Sequence, residues 1–402
     1  METSELVELL SADGLRLLDS LPPYESTTDV LRSVSALRKA GHSPGLVAAV
    51  LSQSKLRARA AAKFGPFAER MLFTESGLEQ ATRLRVAALH AGRFQAAGLT
   101  RIADLGCGIG ADALAMAALD IEVTAVDIDE VTAAIAAYNL APWPNATVVH
   151  ADAATFELDG FDGDGFDGVW LDPARRTSGH QNTSRITNPA DFSPSLDFAF
   201  GLGDRLPAGV KLGPGIDRDL IPAEAEAQWV SVDHDVVELG VWFGAVARPG
   251  IRRAALVLGD HGSAELTADA DSEDVDTGEL REYLYEPDGA VIRARLIGEL
   301  GRRLGASMAS AGIAYLTSGT AIETPFASCF QILETFSFDE RLLRRELSAR
   351  KIGSLEIKKR GVDVDPARLR TKLALKGHES ATLIVTRVAG KHVALLAERV
   401  RF

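Results

Sequence analysis

One short stretch, from Ile102 to Asp112, constrains the fold of this chain more than any other. An apolar run typical of a strand passes there through Gly106, Gly108 and Gly110 into a helical pattern. Glycine lets the backbone turn tightly and lets a ligand approach without interference from a Cβ atom, while the start of a helix offers unpaired amide donors. The stretch therefore predicts a strand, a tight turn and a helix, with a nucleotide-type pocket at the turn.

Short apolar runs and helical patterns alternate from about residue 100 to residue 258. The strand-like runs are 101–105, 122–126, 147–150, 166–171 and 210–212. Alternation of this kind predicts an α/β fold with a parallel sheet that helices cover on both faces. Two later runs, 236–243 and 253–258, are joined by Ala247-Arg-Pro-Gly250, which favours a hairpin and an antiparallel end to the sheet.

The sequence pattern divides the chain into four parts. Residues 1–75 show helical spacing, and residues 76–260 hold the alternating region. Residues 261–282 are predicted to be an acidic linker, because eight acids and no Lys or Arg lie between 260 and 279. Residues 283–402 mix helical and strand-like patterns, which predicts a separate α+β domain.

Composition narrows the class of protein. A chain of 402 residues, 46% of them hydrophobic, is long enough for roughly two to three domains. The acidic start predicts no secretory signal, and no apolar run is long enough to span a bilayer. Cys107 and Cys329 cannot form a disulfide framework, and the eight histidines show no metal-ligand spacing. We therefore expect a cytoplasmic protein that binds neither a membrane nor a metal.

Acidic residues close three successive predicted strands. Asp104 precedes the first glycine by two residues. Asp127 lies about twenty residues after the glycines, where an acid can accept from both ribose hydroxyls, and Asp152 can accept from an adenine amino group. A dinucleotide site and an S-adenosylmethionine site both use such a pattern. The Gly-x-Gly-x-Gly spacing and the three acids favour the methyl donor, because its sulfonium charge suits an acidic pocket.

Residues 78–258 resemble a class I S-adenosylmethionine-dependent methyltransferase. The segment Asp104-Leu-Gly-Cys-Gly-Ile-Gly110 matches motif I of that family, Asp127 matches motif II and Asp152 matches motif III. The resemblance implies a Rossmann-like sheet with S-adenosylmethionine as cofactor. It also implies that Ile128 and Ala153, which follow the second and third acids, border the cofactor.

Two narrower resemblances concern the flanks of this region. Residues 77–91 are similar to the RNA cap trimethylguanosine synthase group, in which a Thr before a helix borders the cofactor. Thr82 stands at that place, although Arg83 and Leu84 replace the Pro-Glu of that group. The tail resembles the THUMP-like domain of a group of bacterial methyltransferases, which implies methyl transfer and contact with RNA. The residues that carry this likeness are Leu355-Glu-Ile-Lys-Lys-Arg-Gly361, Asp365-Pro366 and Leu375-Lys-Gly377.

Asp172 and Pro173 end the fourth predicted strand, where enzymes that methylate an exocyclic amino group of a base have Asp/Asn-Pro-Pro-aromatic. Hydrogen bonds from the amino group to Asp172 and to the backbone at Pro173 would direct its lone pair at the sulfonium methyl. Arg175 is the candidate for stacking on the base in place of the missing aromatic residue, or for holding a phosphate. The alternative is that Asp172 caps a loop and Arg175 forms a surface ion pair.

Two further features bear on the mechanism. Lys211 ends the next strand, where it meets a substrate phosphate or lies in solvent. Transfer through a cysteine adduct is disfavoured, because Cys107 belongs to the cofactor turn and Cys329 lies far along the chain.

Positive charge concentrates in the tail. Residues 341–402 carry a net charge of +10 and the other 340 residues carry −23, within a total of −13. Such asymmetry favours an RNA-binding tail, although a face that docks on the acidic remainder would show it too. The predicted phosphate contacts are Lys358, Lys359, Arg360, Arg370 and Lys372.

The sequence thus predicts a methyltransferase that acts on a base nitrogen of a structured or tRNA-like RNA by direct displacement. Two alternatives stay open: a noncatalytic RNA-binding protein that keeps the cofactor fold, and a methyltransferase for small molecules.

Overall fold

The computed structural model describes residues 3–22, 34–159, 165–175, 192–260 and 262–402. The chain forms two compact units. The first comprises Met1–Leu212, Asp217–Pro222 and Trp242–Ala247, and the second comprises Gly213–Ile216, Ala223–Val241 and Arg248–Phe402. Because residues 213–247 alternate between the units, the domain boundaries at 75, 260 and 282 stay a prediction.

The first unit is built around parallel strands. Its helices are α1 (Thr3–Leu10), α2 (Ala12–Ser20), α3 (Pro44–Phe64), α4 (Glu75–Gln80), α5 (Leu84–Ala96), α6 (Ala111–Ala117), α7 (Glu130–Leu140) and α8 (Leu196–Gly201). Its strands are β1 (Arg101–Leu105), β2 (Glu122–Asp127), β3 (Ala146–His150), β4 (Gly168–Leu171), β5 (Ala174–Arg175), β6 (Phe192–Ser193) and β7 (Ala208–Leu212). Five of these strands pair in parallel in the order β7-β4-β1-β2-β3, which confirms the predicted parallel sheet.

Two buried amide side chains fix the segment that leads to α4. Asn139 of α7 accepts from the backbone N–H of Leu72 at 2.8 Å and donates to the carbonyls of Leu72 and Ile109 at 3.0 and 2.9 Å. Gln53 of α3 exchanges the same pair of hydrogen bonds with the backbone of Phe73, at 2.7 and 3.0 Å. Because Ile109 lies between the glycines of the turn, Asn139 ties that turn to the segment before α4.

The second unit begins with β8 (Glu226–Val232), β9 (Asp235–Phe243, whose last two residues belong to the first unit), β10 (Arg253–Gly259) and β11 (Gly262–Ala268). The expected hairpin between 236–243 and 253–258 is wrong, because β8 lies between β9 and β10. β10 pairs in parallel with β8 and antiparallel with β11.

Strand β11 occupies part of the stretch that we expected to be a solvated linker. Leu266 of this strand is fully buried, and Glu265 forms an ion pair with Arg248. Arg248 also holds the buried Glu226 of β8. The guanidinium of Arg248 therefore offsets the charges of two acids, and a strand forms where the local composition predicted none.

A seven-stranded sheet fills the rest of the second unit. Its strands are β12 (Tyr283–Pro287), β13 (Ser307–Ser310), β14 (Ile313–Ser318), β15 (Ala327–Ser337), β16 (Ile352–Lys359), β17 (Glu379–Val388) and β18 (Lys391–Arg399). Its helices are α9 (Gly289–Arg293), α10 (Ile297–Leu304), α11 (Glu340–Ala349) and α12 (Pro366–Leu373). The strand order is β13-β14-β12-β15-β18-β17-β16, and buried leucines of α11 and α12 share a core with β16 and β17.

We expect the Asn139→Ala substitution to lower the free energy of unfolding by about 3 kcal/mol, because it leaves three buried backbone groups without their hydrogen bonds. Urea unfolding measures this change. Gln95→Ala is the matched control, since Gln95 is exposed and donates a single bond to Leu119. Equal free energies of unfolding for the two variants would contradict the stabilising role of the Asn139 hydrogen bonds.

Candidate functional site

The carboxyl ends of three strands meet at one edge of the first unit's sheet. Leu105, at the end of β1, lies beside Val126 of β2 and Leu171 of β4. The glycine turn begins directly after Leu105, and Asp172 directly follows Leu171. Parallel pairing in this register therefore brings the glycine turn, Asp127 and Asp172 together.

The backbone of the glycine turn has the conformation that its sequence predicts. Gly106 has φ = 84°, and a Cβ atom there would lie 2.9 Å from the carbonyl oxygen of Asp172. Gly108 has φ = 55°, and a Cβ atom there would face open space. Both conformations favour glycine. Gly106 permits the close approach of Asp172, and Gly108 leaves the outer side of the turn open; Gly110, with φ = 84°, precedes α6.

The turn holds the acid at the end of β2 in place. The Asp127 carboxylate accepts from the backbone N–H of Gly108 at 3.0 Å and from that of Asp129 at 2.9 Å. Burial raises the pKa of Asp127 above its ordinary value, although these two bonds act against the shift. Ile128, the next residue, exposes 65% of its surface. A fixed carboxylate thus stands beside an exposed apolar side chain.

Asp152 follows β3 and has a different environment. Its side chain is exposed and accepts from the backbone N–H of Ala154 at 2.9 Å, while the neighbouring Ala153 is buried.

Asp104, in β1, is a buried carboxylate. Its residue is 1% exposed, and neither carboxylate oxygen has a hydrogen-bond partner among the residues that the structure describes. Burial, followed by the charges of Asp112 and Asp172, raises the pKa of Asp104 well above its ordinary value. Such a group is stabilised by a cationic ligand.

A second buried acid, Asp112, has partners on both sides. Its carboxylate lies 2.8 Å from Nδ1 of His90 in α5 and accepts from the hydroxyl of Thr82 at 2.7 Å. Burial acts to raise its pKa, but the hydrogen bond and charge of His90, the charge of Lys211 and the Thr82 bond outweigh it and lower the pKa. Neither His90 nor Asp112 was predicted as a site residue. The signal for Asp112 was a single acid in the otherwise apolar helix Ala111–Ala117.

Lys211 forms an ion pair with Asp172 and donates to the hydroxyl of Thr82 at 3.0 Å. The Lys211 side chain is 11% exposed. This placement differs from the expected contact with a substrate phosphate, because the ammonium group is directed at Asp172. Pro173 is buried after Asp172. Arg175 pairs through its backbone with Phe192, and its side chain lies outside the described part.

Comparison with known proteins now bears on this arrangement. Family models match residues 102–184 (a methyltransferase domain), 327–399 (THUMP domain-like) and 2–60 (a domain of unknown function). Two relatives from Mycobacterium tuberculosis strains, CDC 1551 / Oshkosh and ATCC 25618 / H37Rv, are described as uncharacterized S-adenosylmethionine-dependent methyltransferases. Each is 35% identical over 341 residues, which cover 83% of this chain and 90% of the relative. The chain belongs to the S-adenosylmethionine-dependent methyltransferases.

A crystal structure provisionally assigned as a methyltransferase, from Porphyromonas gingivalis W83, shares the fold of this methyltransferase. The TM-score is 0.71 at 21% identity, with 94% of this chain and all of that chain covered. The class I fold, the THUMP-like tail and S-adenosylmethionine as cofactor are thereby confirmed. The narrower likeness to the trimethylguanosine synthase group stays a prediction.

The acids around the glycine turn suit the cofactor of this family. S-adenosylmethionine carries a sulfonium and an ammonium group against one carboxylate. The buried Asp104 carboxylate has no hydrogen-bond partner among the described residues, so an ammonium group would supply what it lacks. The open side of Gly108, next to Asp127, leaves room for a ligand at the turn.

Most of the predicted phosphate contacts in the tail have partners inside the second unit. Lys358 lies 2.6 Å from Glu286, and Arg360 lies 3.9 Å from the same residue. Arg370 donates to the carbonyl of Leu355 at 3.3 Å, and Lys372 lies 2.7 Å from Glu340. Lys359 is exposed. Charge counting alone missed these partners, since Glu286 lies about seventy positions before Lys358.

Neither a membrane helix nor a metal cluster is found in the described ranges. No helix there is long and apolar enough to cross a bilayer. No group of three or more His, Cys, Asp or Glu side chains there could hold a metal ion.

We expect Asp112→Asn to lower the free energy of unfolding by about 3 kcal/mol at pH 7, because it removes the charged partner of His90 and Thr82. The pKa of Asp112 is lowered by folding, so the stabilisation is present above the ordinary value of 3.8 and is lost as the pH falls through the folded value. Urea unfolding from pH 7 to pH 3 should therefore give a difference from the parent that is constant at first and shrinks below about pH 4.

The control for this change is Asp13→Asn. Asp13 pairs with Arg16 but is 82% exposed, so the variant should unfold like the parent at every pH. A destabilisation by Asp112→Asn that does not vary with pH would contradict the assignment of an ionised Asp112.

Proposed function

We propose that this methyltransferase transfers a methyl group to a nitrogen atom of an RNA base. The observation that carries the proposal is the position of Asp172-Pro173, directly after β4 and against the glycine turn. S-adenosylmethionine supplies an electrophilic methyl group on a positively charged sulfur. An exocyclic amino group is a poor nucleophile, so orientation of its lone pair supplies most of the catalysis.

Asp172 and Pro173 do the orienting in this proposal. The Asp172 carboxylate and the backbone carbonyl of Pro173 accept hydrogen bonds from the two N–H groups of the amino group. The lone pair of the nitrogen is then directed away from these acceptors. The nitrogen forms one bond to the methyl carbon as the carbon–sulfur bond breaks. The extra proton then leaves the nitrogen for the Asp172 carboxylate, which in this proposal already accepts a hydrogen bond from the amino group. Arg175, two residues further on, would stack on the base or hold a phosphate.

The cofactor is held, in this proposal, by the acids at the strand ends. Asp104 pairs with the ammonium group, and Asp127 accepts from the ribose hydroxyls. Asp152 accepts from the adenine amino group, with Ile128 and Ala153 on the faces of the ring. The support is the buried carboxylate of Asp104, the fixed carboxylate of Asp127 and the exposed Ile128 beside it.

The RNA partner, structured or tRNA-like, is proposed from the tail. A THUMP-like match covers residues 327–399, and two helices of that segment carry exposed arginines. Arg341 and Arg344 lie on α11, Arg368 lies on α12, and Lys359 is exposed at the end of β16. These side chains suit phosphates of an RNA backbone. Two free, buried cysteines agree with the reducing cytoplasm that we propose as the site of action.

We expect binding of S-adenosylmethionine to release protons through Asp104. Burial raises the pKa of Asp104 well above its ordinary value in the free protein, and an ammonium ligand favours the ionised form. Affinity should therefore rise with pH until the pKa of the free protein is passed. Calorimetry near pH 6.5 in buffers of different ionisation enthalpy measures the release. Asp104→Asn should abolish it and weaken binding at least about tenfold.

Asp120→Asn is the matched control, because Asp120 lies on a turn with φ = 61°, which Asn also tolerates. It should bind and release protons like the parent. Equal proton release by Asp104→Asn and the parent would remove Asp104 from the cofactor site.

Methyl transfer from labelled S-adenosylmethionine to total RNA from cells that lack the protein tests the function. We expect transfer by the parent, found as a methylated base by mass spectrometry of nucleosides. Asp172→Ala should lower the rate at least about 100-fold, because the side-chain acceptor for the amino group is lost. Its affinity for the cofactor should stay within about threefold of the parent's. Asp197→Asn, an exposed residue of α8, should change neither.

The same assay separates the alternatives. Transfer to a metabolite extract but to no RNA would favour a small-molecule methyltransferase, and no transfer at all would favour a noncatalytic RNA-binding protein. Arg344→Glu combined with Arg368→Glu should reduce transfer to RNA with an unchanged cofactor affinity. Arg16→Glu, an exposed residue of the first unit, is the control for charge reversal.

A further inference from the structure

Lys211 connects the strand that carries it to the proposed reaction centre. β7 pairs with β4 through Val210 and Leu171, so Lys211 and Asp172 occupy adjacent strand ends. The Lys211 ammonium is ion-paired with the Asp172 carboxylate and donates to the hydroxyl of Thr82 at 3.0 Å and to the carbonyl of Gln80 at 3.5 Å. Since the Lys211 side chain is 11% exposed, these groups replace most of its water.

Thr82 is fixed from its other side. Its hydroxyl donates to Asp112, which in turn lies 2.8 Å from His90. Thr82, His90 and Asp112 are 4%, 2% and 6% exposed. The ring of His90 packs against that of Trp170, with 4.4 Å between centroids, and Trp170 lies two residues before Asp172. The contacts thus form a closed loop. Polar contacts connect Asp172 to Lys211, Thr82, Asp112 and His90 in turn, and the packing of His90 on Trp170 leads back to β4, which Asp172 follows.

The backbone that carries Thr82 is also held. Lys63 of α3 donates to the carbonyls of Leu78, Glu79 and Ala81, each at 2.8 Å. These contacts fix the end of α4 and the residues before Thr82. The hydroxyl that receives Lys211 is therefore attached to an anchored segment.

An ion pair that is partly removed from water contributes little net stability; here the Lys211 side chain is 11% exposed and the Asp172 side chain 33% exposed. Removing two charges from water costs several kcal/mol, and the attraction between them roughly repays that cost. An ion pair does fix the direction of a carboxylate, and a carboxylate has about four acceptor sites, so it can hold an ammonium group and still accept a hydrogen bond from a substrate. The position of this pair at the end of β4 therefore agrees better with a role in the reaction than with stability alone.

We propose that Lys211 is a positioning residue: it holds the carboxylate of Asp172 in place for methyl transfer, and it depends for its own position on Thr82, Asp112 and His90. This inference rests on the proposed function of Asp172. It also gives Lys211 an electrostatic role, because the positive charge of Lys211 offsets the negative charge of Asp172 beside the methyl-donor site. Loss of that charge should favour a cationic ligand there over a neutral one.

The test compares Lys211→Met with Lys211→Arg, which keeps the charge. With RNA as substrate, Lys211→Met should lower kcat at least about 100-fold, while the KM for RNA stays within about threefold, because only alignment is lost. Lys211→Arg should recover about a tenth or more of the parent rate. Thr82→Val, which removes the hydroxyl but keeps the shape, should fall between the parent and Lys211→Met. Thermal unfolding of each variant checks that it folds.

A binding measurement that needs no RNA accompanies the kinetics. Calorimetric affinities for S-adenosylmethionine and for S-adenosylhomocysteine, which lacks the sulfonium charge, should shift in Lys211→Met by at least about fivefold in favour of the charged ligand. Lys211→Arg should keep the ratio of the parent, and Asp172→Asn should move it the other way.

These outcomes separate the inference from the function on which it rests. A kcat for Lys211→Met within about threefold of the parent's overturns the positioning role, as does an equal loss in Lys211→Arg or a rise in KM alone. If the parent transfers no methyl group to RNA, the proposed function fails. The ratio of the affinities for S-adenosylmethionine and S-adenosylhomocysteine then tests the inference about Lys211 by itself. An unchanged ratio in Lys211→Met overturns the inference, and a shifted ratio supports the place of Lys211 beside the methyl donor.

Discussion

Repulsion between acids at one sheet edge is the constraint on which the first unit depends. Asp104 and Asp127 lie in β1 and β2, Asp172 directly follows β4, and the carboxyl ends of these strands align; Asp112 lies in the first turn of α6. Buried like charges raise one another's pKa and oppose folding unless cations or protons meet them. His90 and Lys211 meet Asp112 and Asp172 from inside the protein. In the binding mode that we propose, the ammonium group of the cofactor pairs with Asp104. The internal contacts and the cationic ligand therefore both reduce the repulsion between the acids.

The local parts of the fold could be predicted from the sequence, because each depends on neighbours in the chain. Apolar runs predicted β1 to β4 and β7, and the glycine spacing predicted the turn after Leu105. Strand β11 was missed because its stability depends on a distant residue. Glu265 is held there by Arg248, which we assigned to a hairpin joint and which also binds Glu226. Composition within a stretch cannot report a partner outside it.

The residues of the candidate site were also predictable from the sequence only where their role depends on neighbours in the chain. Asp172 was predicted from its motif and its strand end. Lys211 was predicted to lie at the same edge but with the wrong partner, since only the pairing of β7 with β4 shows that its ammonium meets Asp172 and not solvent. His90 was missed entirely. Its role depends on helix α5 packing against the sheet, which stacks the imidazole on Trp170 and brings it to Asp112.

Charge in the tail acts at two ranges, and the structure separates them. Residues 341–402 carry a net charge of +10, but the rest of the second unit is acidic, so the positive field that attracts a polyanion is confined to this segment. Short-range contact with a phosphate instead needs a cation that another acid does not already hold. Lys358 is occupied by Glu286 and Lys372 by Glu340, whereas Arg344 and Arg368 are exposed on helices. The face that we propose for RNA is therefore set by where the acids lie: it keeps Lys359 from the predicted contacts and adds the exposed arginines of α11 and α12.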